Sequence, residues 1–218
     1  MTYPMKAPSR QAEYNPQIVK EIGKSYEKHI KIPVAAKGES LEGTGSLVFD
    51  HKFKRLYVCI SERACARTLN NYLKIVNSNC LPGKEYTMVT FKAFDNHKKT
   101  SPIYHTNVMM AILEFHVIVN LNSIIDPSMR AYVKKCLSFG REIIDISHKE
   151  MGEMCGNMIQ VKDDKDQLCL IMSTRALKGL SSSHKKILEA HYKILATDIS
   201  TIEHIGGGSA RCMVAEIF

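Results

Sequence analysis

From Leu41 to Phe94 the spacing of apolar positions switches from alternate to helical and back. "SLVFD" and "RLYVCIS" are β-rich runs joined by a polar turn, His51 to Lys54. "ARTLNNYLKIV" carries apolar residues at helical spacing, and "YTMVTFKAF" alternates again. The predicted order is strand, turn, strand, helix, strand, and it recurs. "YHTNVMMAILEFHVIVNL" supplies strand material, "DPSMRAYVKKCLSFG" opens a helix with Asp-Pro and closes it at Gly140, and "EIIDIS" is the following strand. A third round starts near Cys155. It has "GNMIQV", the turn "KDDKD", "LCLIMS", a helix near 184 to 194 after "SSS", and "ILATDI".

Three such units, spaced by about 50 to 60 residues, are an internal repeat, and repeats of that size stack or close around an axis. The expected fold is α/β, a single domain over residues 1–218 built from ββαβ modules. Both ends read as partial units. "YPMKAP" followed by "PQIVKEIGKSY" supplies one strand and one helix without a hairpin. Residues 201–218 read as the opening of a unit, with Cys212 at the start of an apolar strand.

The chain is long enough for one domain with a substantial core. Its net charge of +8 is spread out, with only short groups such as Lys98-Lys99, Lys134-Lys135 and Lys185-Lys186, so the charge draws no nucleic-acid footprint. The seven cysteines are an odd number without a Cys-x-x-Cys pair, a pattern that suits a reducing compartment and favours neither a disulfide scaffold nor a zinc site. No apolar run is long enough to span a bilayer, and "MTYPMKAPSR" has no signal core. The expected location is cytoplasmic, with no nucleic-acid or membrane partner.

Three places carry candidate chemistry. Glu42, in "LEGTGSLVF", precedes a Gly-x-Gly and would present its carboxylate at a strand end; a solvated loop glutamate is the plain alternative. Gly43 and Gly45 lack the Gly-Lys-Ser/Thr of a phosphate loop. His105, in "PIYHTNVMM", sits between a Pro-containing turn and an apolar run, with Asn107 two residues on and on the same face if the segment is a strand. His51, His97, His148 and His184 fall in polar turns. Cys212 follows three glycines that permit close backbone approach, whereas the other six cysteines read as inert thiols. A nucleophile, an acid/base group and a carboxylate thus open different units, and would converge if the units share an axis.

With these residues in view, "LEGTGSLVFD", "RLYVCISERA", "IYHTNVMM", "CGNMIQV" and "IGGGSARCMVAEIF", in this order, closely resemble the arginine deiminase and amidinotransferase superfamily, the pentein fold. The nearest likeness is to its citrulline-utilisation hydrolase branch, related to dimethylarginine dimethylaminohydrolase. The resemblance implies five ββαβ modules in an α/β propeller around a central active site, with the first module incomplete in this chain. It implies Cys212 as nucleophile, His105 as general acid/base, Glu42 as the carboxylate holding substrate nitrogens, Arg63 as the partner of a substrate α-carboxylate, and Asn107 at the substrate. The implied ligand is a small guanidino or ureido molecule, with no cofactor or metal and with a homo-oligomer or partner completing the ring. Two positions depart from many deiminases: Gly45 replaces a second acidic residue, and Asn107 replaces the aspartate of a His-x-Asp. Two alternatives stand beside the hydrolase: a catalytically degenerate binding protein, and a cysteine peptidase using Cys, His and Asn.

Overall fold

The computed structural model describes residues 1–12, 14–26, 29–34, 36–95 and 101–214. Two short helices come first, α1 (Pro8–Ala12) and α2 (Pro16–Gly23), the second capped by Asn15 Oδ1 on the N–H groups of Gln17 and Ile18. Around them Thr2 bridges Lys31 in parallel, with Thr2 N donating to Ile30 O and Ile32 N to Thr2 O, each at 2.9 Å. The expected helix is present as α2, but the strand expected at "YPMKAP" is not formed; the segment is tied down instead by this single bridge.

All three expected units are present. The first has α3 (Gly43–Ser46), β1 (Val48–Asp50), β2 (Arg55–Cys59), α4 (Ala66–Ser78) and β3 (Thr87–Phe91). The second has β4 (Met110–Ile112), β5 (His116–Val119), α5 (Pro127–Leu137) and β6 (Glu142–Asp145). After α6 (His148–Gly152) comes the third, with β7 (Ile159–Lys162), β8 (Leu168–Ser173), α7 (Thr174–Gly179), α8 (Ser182–His191) and β9 (Lys193–Thr197). Each unit makes one three-stranded sheet in chain order, the first pair antiparallel and the second parallel across the helix. The helix starts follow from their caps. Asp126 Oδ1 accepts from Met129 N at 2.7 Å ahead of Pro127, and Ser147 with Glu150 forms a reciprocal capping box. Gly140, past the end of α5, has a φ of 69°.

The middle strands β2, β5 and β8 are nearly all buried, because a helix covers one side of them and neighbouring units the other. The first strands β1, β4 and β7 pack on one another around a cavity of about 210 Å³. The main core runs through all three units, and a second cluster, including Ile32, Leu41 and Leu56, seats the front segment on β2 and α4. Units one and two are tied by Arg141, whose Nη1 and Nη2 lie 2.6 and 3.0 Å from the two oxygens of Asp50, while its Nε donates to Leu113 O. Units two and three meet where Phe115 N donates to the Tyr192 hydroxyl at 3.1 Å.

The C-terminal region departs from the expected strand opening. After β9 comes a helix, α9 (Ser200–Gly206), and then a 3-10 turn, Ala210–Met213, that contains Cys212. The strand expected beyond Cys212 falls mostly in residues 215–218, outside the described residues. Among the described residues, no helix is long and apolar enough to cross a membrane.

Candidate active site

Each repeat puts a turn ahead of its first strand, and these turns hold the site. Glu42 precedes α3 at its N-cap position, so the segment is a short helix start rather than a strand end. His105 is the N-cap of a 3-10 turn, Thr106–Val108, that also contains Asn107; the strand expected there begins only at Met110. Thr106 locks that turn in place, its hydroxyl donating to Ser46 O at 2.6 Å and accepting from Cys59 N at 2.8 Å. Cys212 comes in on the fourth such turn.

Glu42 is 4% exposed and its carboxylate is fully engaged. Oε1 accepts from Lys6 N at 2.9 Å and Ala7 N at 3.0 Å, and Oε2 accepts from Arg63 Nη1 at 3.1 Å and His105 Nε2 at 2.9 Å. Burial alone would raise its pKa, but the two backbone N–H groups, Arg63 and His105 together outweigh burial and hold it below the usual range. An ionised carboxylate only accepts, so His105 carries its proton on Nε2 and leaves the Nδ1 lone pair open. Burial lowers the pKa of His105, the bond to Glu42 opposes that shift, and the charges of Arg63 and Arg10 lower it further. The imidazole is therefore neutral near pH 7.

Tyr104 forms one wall, with Arg63 stacked over its ring at 5.1 Å and the His105 ring 4.8 Å away. Its pKa is raised, by burial first. The Cys212 sulfur receives Asn157 Nδ2 at 3.2 Å and Asn107 Nδ2 at 3.5 Å. Each of the three glycines before it has its own place. Gly206 ends α9, Gly207 caps it with a φ of 70°, and Gly208 touches the nucleophile candidate: a Cβ there would lie 2.9 Å from Cys212 Cβ. Gly45 likewise lies against the acid/base candidate, since a Cβ at this position would stand 2.8 Å from His105 Nδ1. That contact is a physical reason for glycine where many deiminases have an acid.

Glu42, Arg63, His105, Asn107 and Cys212 are thus brought to one place. Asn157, Arg10 and Tyr104 join them and were not singled out from the sequence. A wider cleft, of about 930 Å³, opens between α6, α7 and α9 and is lined by Lys149, Glu153, Arg175 and Lys178 among others. Neither Cys212 nor His105 lines it.

The family model described as eukaryotic N,N dimethylarginine dimethylhydrolase matches residues 1–218. The chain belongs to this dimethylarginine dimethylhydrolase family. The pentein fold and dimethylarginine hydrolase kinship expected from the sequence hold; the matching model carries the dimethylarginine name rather than the citrulline-utilisation one. Among solved structures, the chain resembles the product-bound N-terminal domain of ArgZ, an arginine dihydrolase from cyanobacteria. The two share 16% identity at a TM-score of 0.74, over 99% of this chain and 69% of that one. It also resembles the citrulline complex of a mutant dimethylarginine dimethylaminohydrolase from Pseudomonas aeruginosa, at 20% identity and a TM-score of 0.63, covering 94% and 66%. The family chain spans only 30% of full-length ArgZ. Among curated proteins, none matches.

Two buried histidines set a pH dependence for this family member. His105 and His116 are both held below the ordinary histidine value, His116 by burial first and then by the charge of His191, with Glu142 opposing. The unfolded chain binds protons near pH ~6.5 where the folded chain does not, so this stability is present above that value and lost as pH falls through the folded values. The thermal unfolding midpoint is expected to drop between pH 7.5 and about 5; a midpoint that rises over this interval contradicts the assignment.

Proposed function

We propose that this chain is a cysteine-dependent hydrolase of the guanidino carbon of an arginine derivative, with methylated arginines first among the candidates, and that it releases ammonia or an amine. A ureido substrate is the neighbouring possibility within the same chemistry. The observation that carries the reading is the convergence, on turns of different repeats, of the Cys212 thiol, the neutral His105 imidazole and the Glu42 carboxylate that sets its tautomer. Family membership and the structural likeness to an arginine dihydrolase and a dimethylarginine dimethylaminohydrolase support it.

In this mechanism the Cys212 thiolate adds to the carbon of the cationic guanidinium, and a substrate N–H proton passes through His105 Nδ1 to the departing nitrogen as the C–N bond breaks. Water then adds to the sulfur-bound carbon, its proton passing through His105 to the remaining imino nitrogen. The C–S bond breaks with the sulfur leaving as thiolate, and the ureido product gives its extra proton to solvent. Glu42 orients the imidazole and stabilises it when charged. With four donors already on Glu42, a substrate nitrogen reaches this carboxylate only by displacing one of them, and Arg63 is the donor with a side chain free to swing. Arg63 and Arg10 then suit a substrate carboxylate, the role expected of Arg63 from the resemblance.

The test is a panel of arginine, mono- and dimethylarginines and citrulline, read for released ammonia, methylamine or dimethylamine. Release from at least one arginine derivative is expected. If none is turned over and a chloroacetamidine-type probe leaves Cys212 unlabelled, the proposal fails. A second expectation concerns Gly45. Gly45→Ala should push the His105 ring aside and cut turnover by about 10²-fold, the scale of a misplacement near 1 Å, without lowering the thermal midpoint. Unchanged turnover would mean that His105 needs no such close seat.

A further inference from the structure

Asn157 is 1% exposed, and every part of its amide is in use. Oδ1 accepts from the backbone N–H of Arg211 at 3.1 Å and of Cys212 at 3.4 Å, while Nδ2 donates to Asn107 O at 2.9 Å and to Cys212 Sγ at 3.2 Å. Turning the amide over would set its NH₂ against two N–H donors and its oxygen against a carbonyl. The network therefore decides which end faces the sulfur. A second amide, that of Asn107, faces the sulfur with both ends, Nδ2 at 3.5 Å and Oδ1 at 3.8 Å, so Asn157 is the amide that commits a donor alone to the sulfur. Among the described residues, no hydrogen bond joins His105 to Cys212. The close seat of Asn157 also has a backbone cause: a Cβ on Gly156 would lie 2.5 Å from Val108 O, so the strand opening packs directly on the turn that holds Asn107.

We infer that Asn157 aims Cys212 and holds its sulfur in the charged, nucleophilic form, the service a paired imidazolium gives in cysteine enzymes that have one. A thiolate accepts N–H hydrogen bonds well and a thiol accepts them weakly, so a donor fixed at the sulfur favours the charged form. The same side chain clamps both N–H groups of the turn, so the sulfur keeps its direction. Charge and position are coupled through one buried amide. The inference rests on Cys212 as the nucleophile of the proposed function, but its test needs no substrate.

Alkylation of Cys212 by iodoacetamide, followed on the peptide that carries it by mass spectrometry, measures the charged fraction directly. In Asn157→Ala the rate at pH 7 is expected to fall about tenfold or more, the weight of one hydrogen bond to a charged group. At about pH 10, where cysteines are largely ionised, the rate is expected to match that of the wild type. Asn157→Asp keeps the shape and the acceptor oxygen but sets a carboxylate against the sulfur, and its rate at pH 7 should be lower still. Equal rates at pH 7 in wild type and variants overturn the inference. A fall of the same size at both pH values also overturns it, because it marks a purely structural role. Should Asn157→Ala fail to fold, Asn157→Asp decides the matter, and the wild-type chain gives a further reading. Its rate gain between pH 7 and pH 10 should be smaller at Cys212 than at the partly exposed Cys65 and Cys80; an equal gain overturns the inference. These rates are independent of turnover, so failure of the substrate panel and failure of this inference are separate results.

Discussion

Cys212→Ser is expected to lower turnover of the best arginine derivative by at least about 10³-fold, the scale on which enzymes lose rate when a covalent nucleophile is removed. The argument is geometric and chemical. The hydroxyl would occupy the same turn and receive the same two amide N–H groups, but it is far less acidic than a thiol and His105 makes no hydrogen bond to it that could draw the proton away. Folding should be unaffected, because Cys212 is only partly buried and forms no disulfide. The measurement is kcat/KM beside the thermal midpoint. A variant that keeps activity within about tenfold of wild type would leave Cys212 outside the chemistry.

Arg141→Ala is expected to cost about 3 to 5 kcal/mol of stability, the usual range when one member of a buried ion pair is removed. The side chains of Arg141 and Asp50 are 4% and 3% exposed, and the pair is bidentate. Without the guanidinium, Asp50 keeps, among the described residues, the N–H of Phe53 as a donor at 3.1 Å, and its charge stays buried between units one and two. Phe53 also loses the cation stacked on its ring at 4.9 Å. The double substitution Asp50→Asn with Arg141→Met should recover much of the loss, because the penalty lies mainly in the orphaned charge. Urea unfolding of the wild type and the two variants measures this; a loss below about 1 kcal/mol in the single variant would mean that water reaches Asp50.

The repeat was legible because each unit combines two periods, alternate along the hairpin and helical along the connection, with turn residues between them. Strong caps such as Asp126-Pro127 and Ser181 made the helix positions readable too. The site was legible in part. Glu42, His105 and Cys212 stand out by residue type, but their local structure does not follow from pattern. Tertiary bonds, such as those of Thr106 to Ser46 and Cys59, fold His105 and Asn107 into a 3-10 turn where period alone favours a strand. Helix α9 was hidden because it has a single buried residue, Glu203, and so little apolar stripe to read.

Asn157 was missed although a signal was present. Ser46-Leu47-Val48, Asn107-Val108-Met109, Asn157-Met158-Ile159 and Cys212-Met213-Val214 are the same opening, a small or polar residue ahead of two apolar ones. Aligning the units on one another puts Asn157 level with Cys212 and Asn107, and in space these three side chains meet at the sulfur. Arg10 was not foreseen because α1 is a five-residue helix with no buried residue, and nothing in its pattern says which way it faces.

The central claim is that Cys212 attacks the guanidino carbon. The most direct measurement mixes the chain with its best arginine derivative, quenches in acid during the first turnover and weighs the cysteine peptides. The account predicts a mass gain equal to the substrate less its departed amine on the peptide carrying Cys212, and on none of the other six cysteines. Turnover without that adduct, or an adduct on another cysteine, would contradict it.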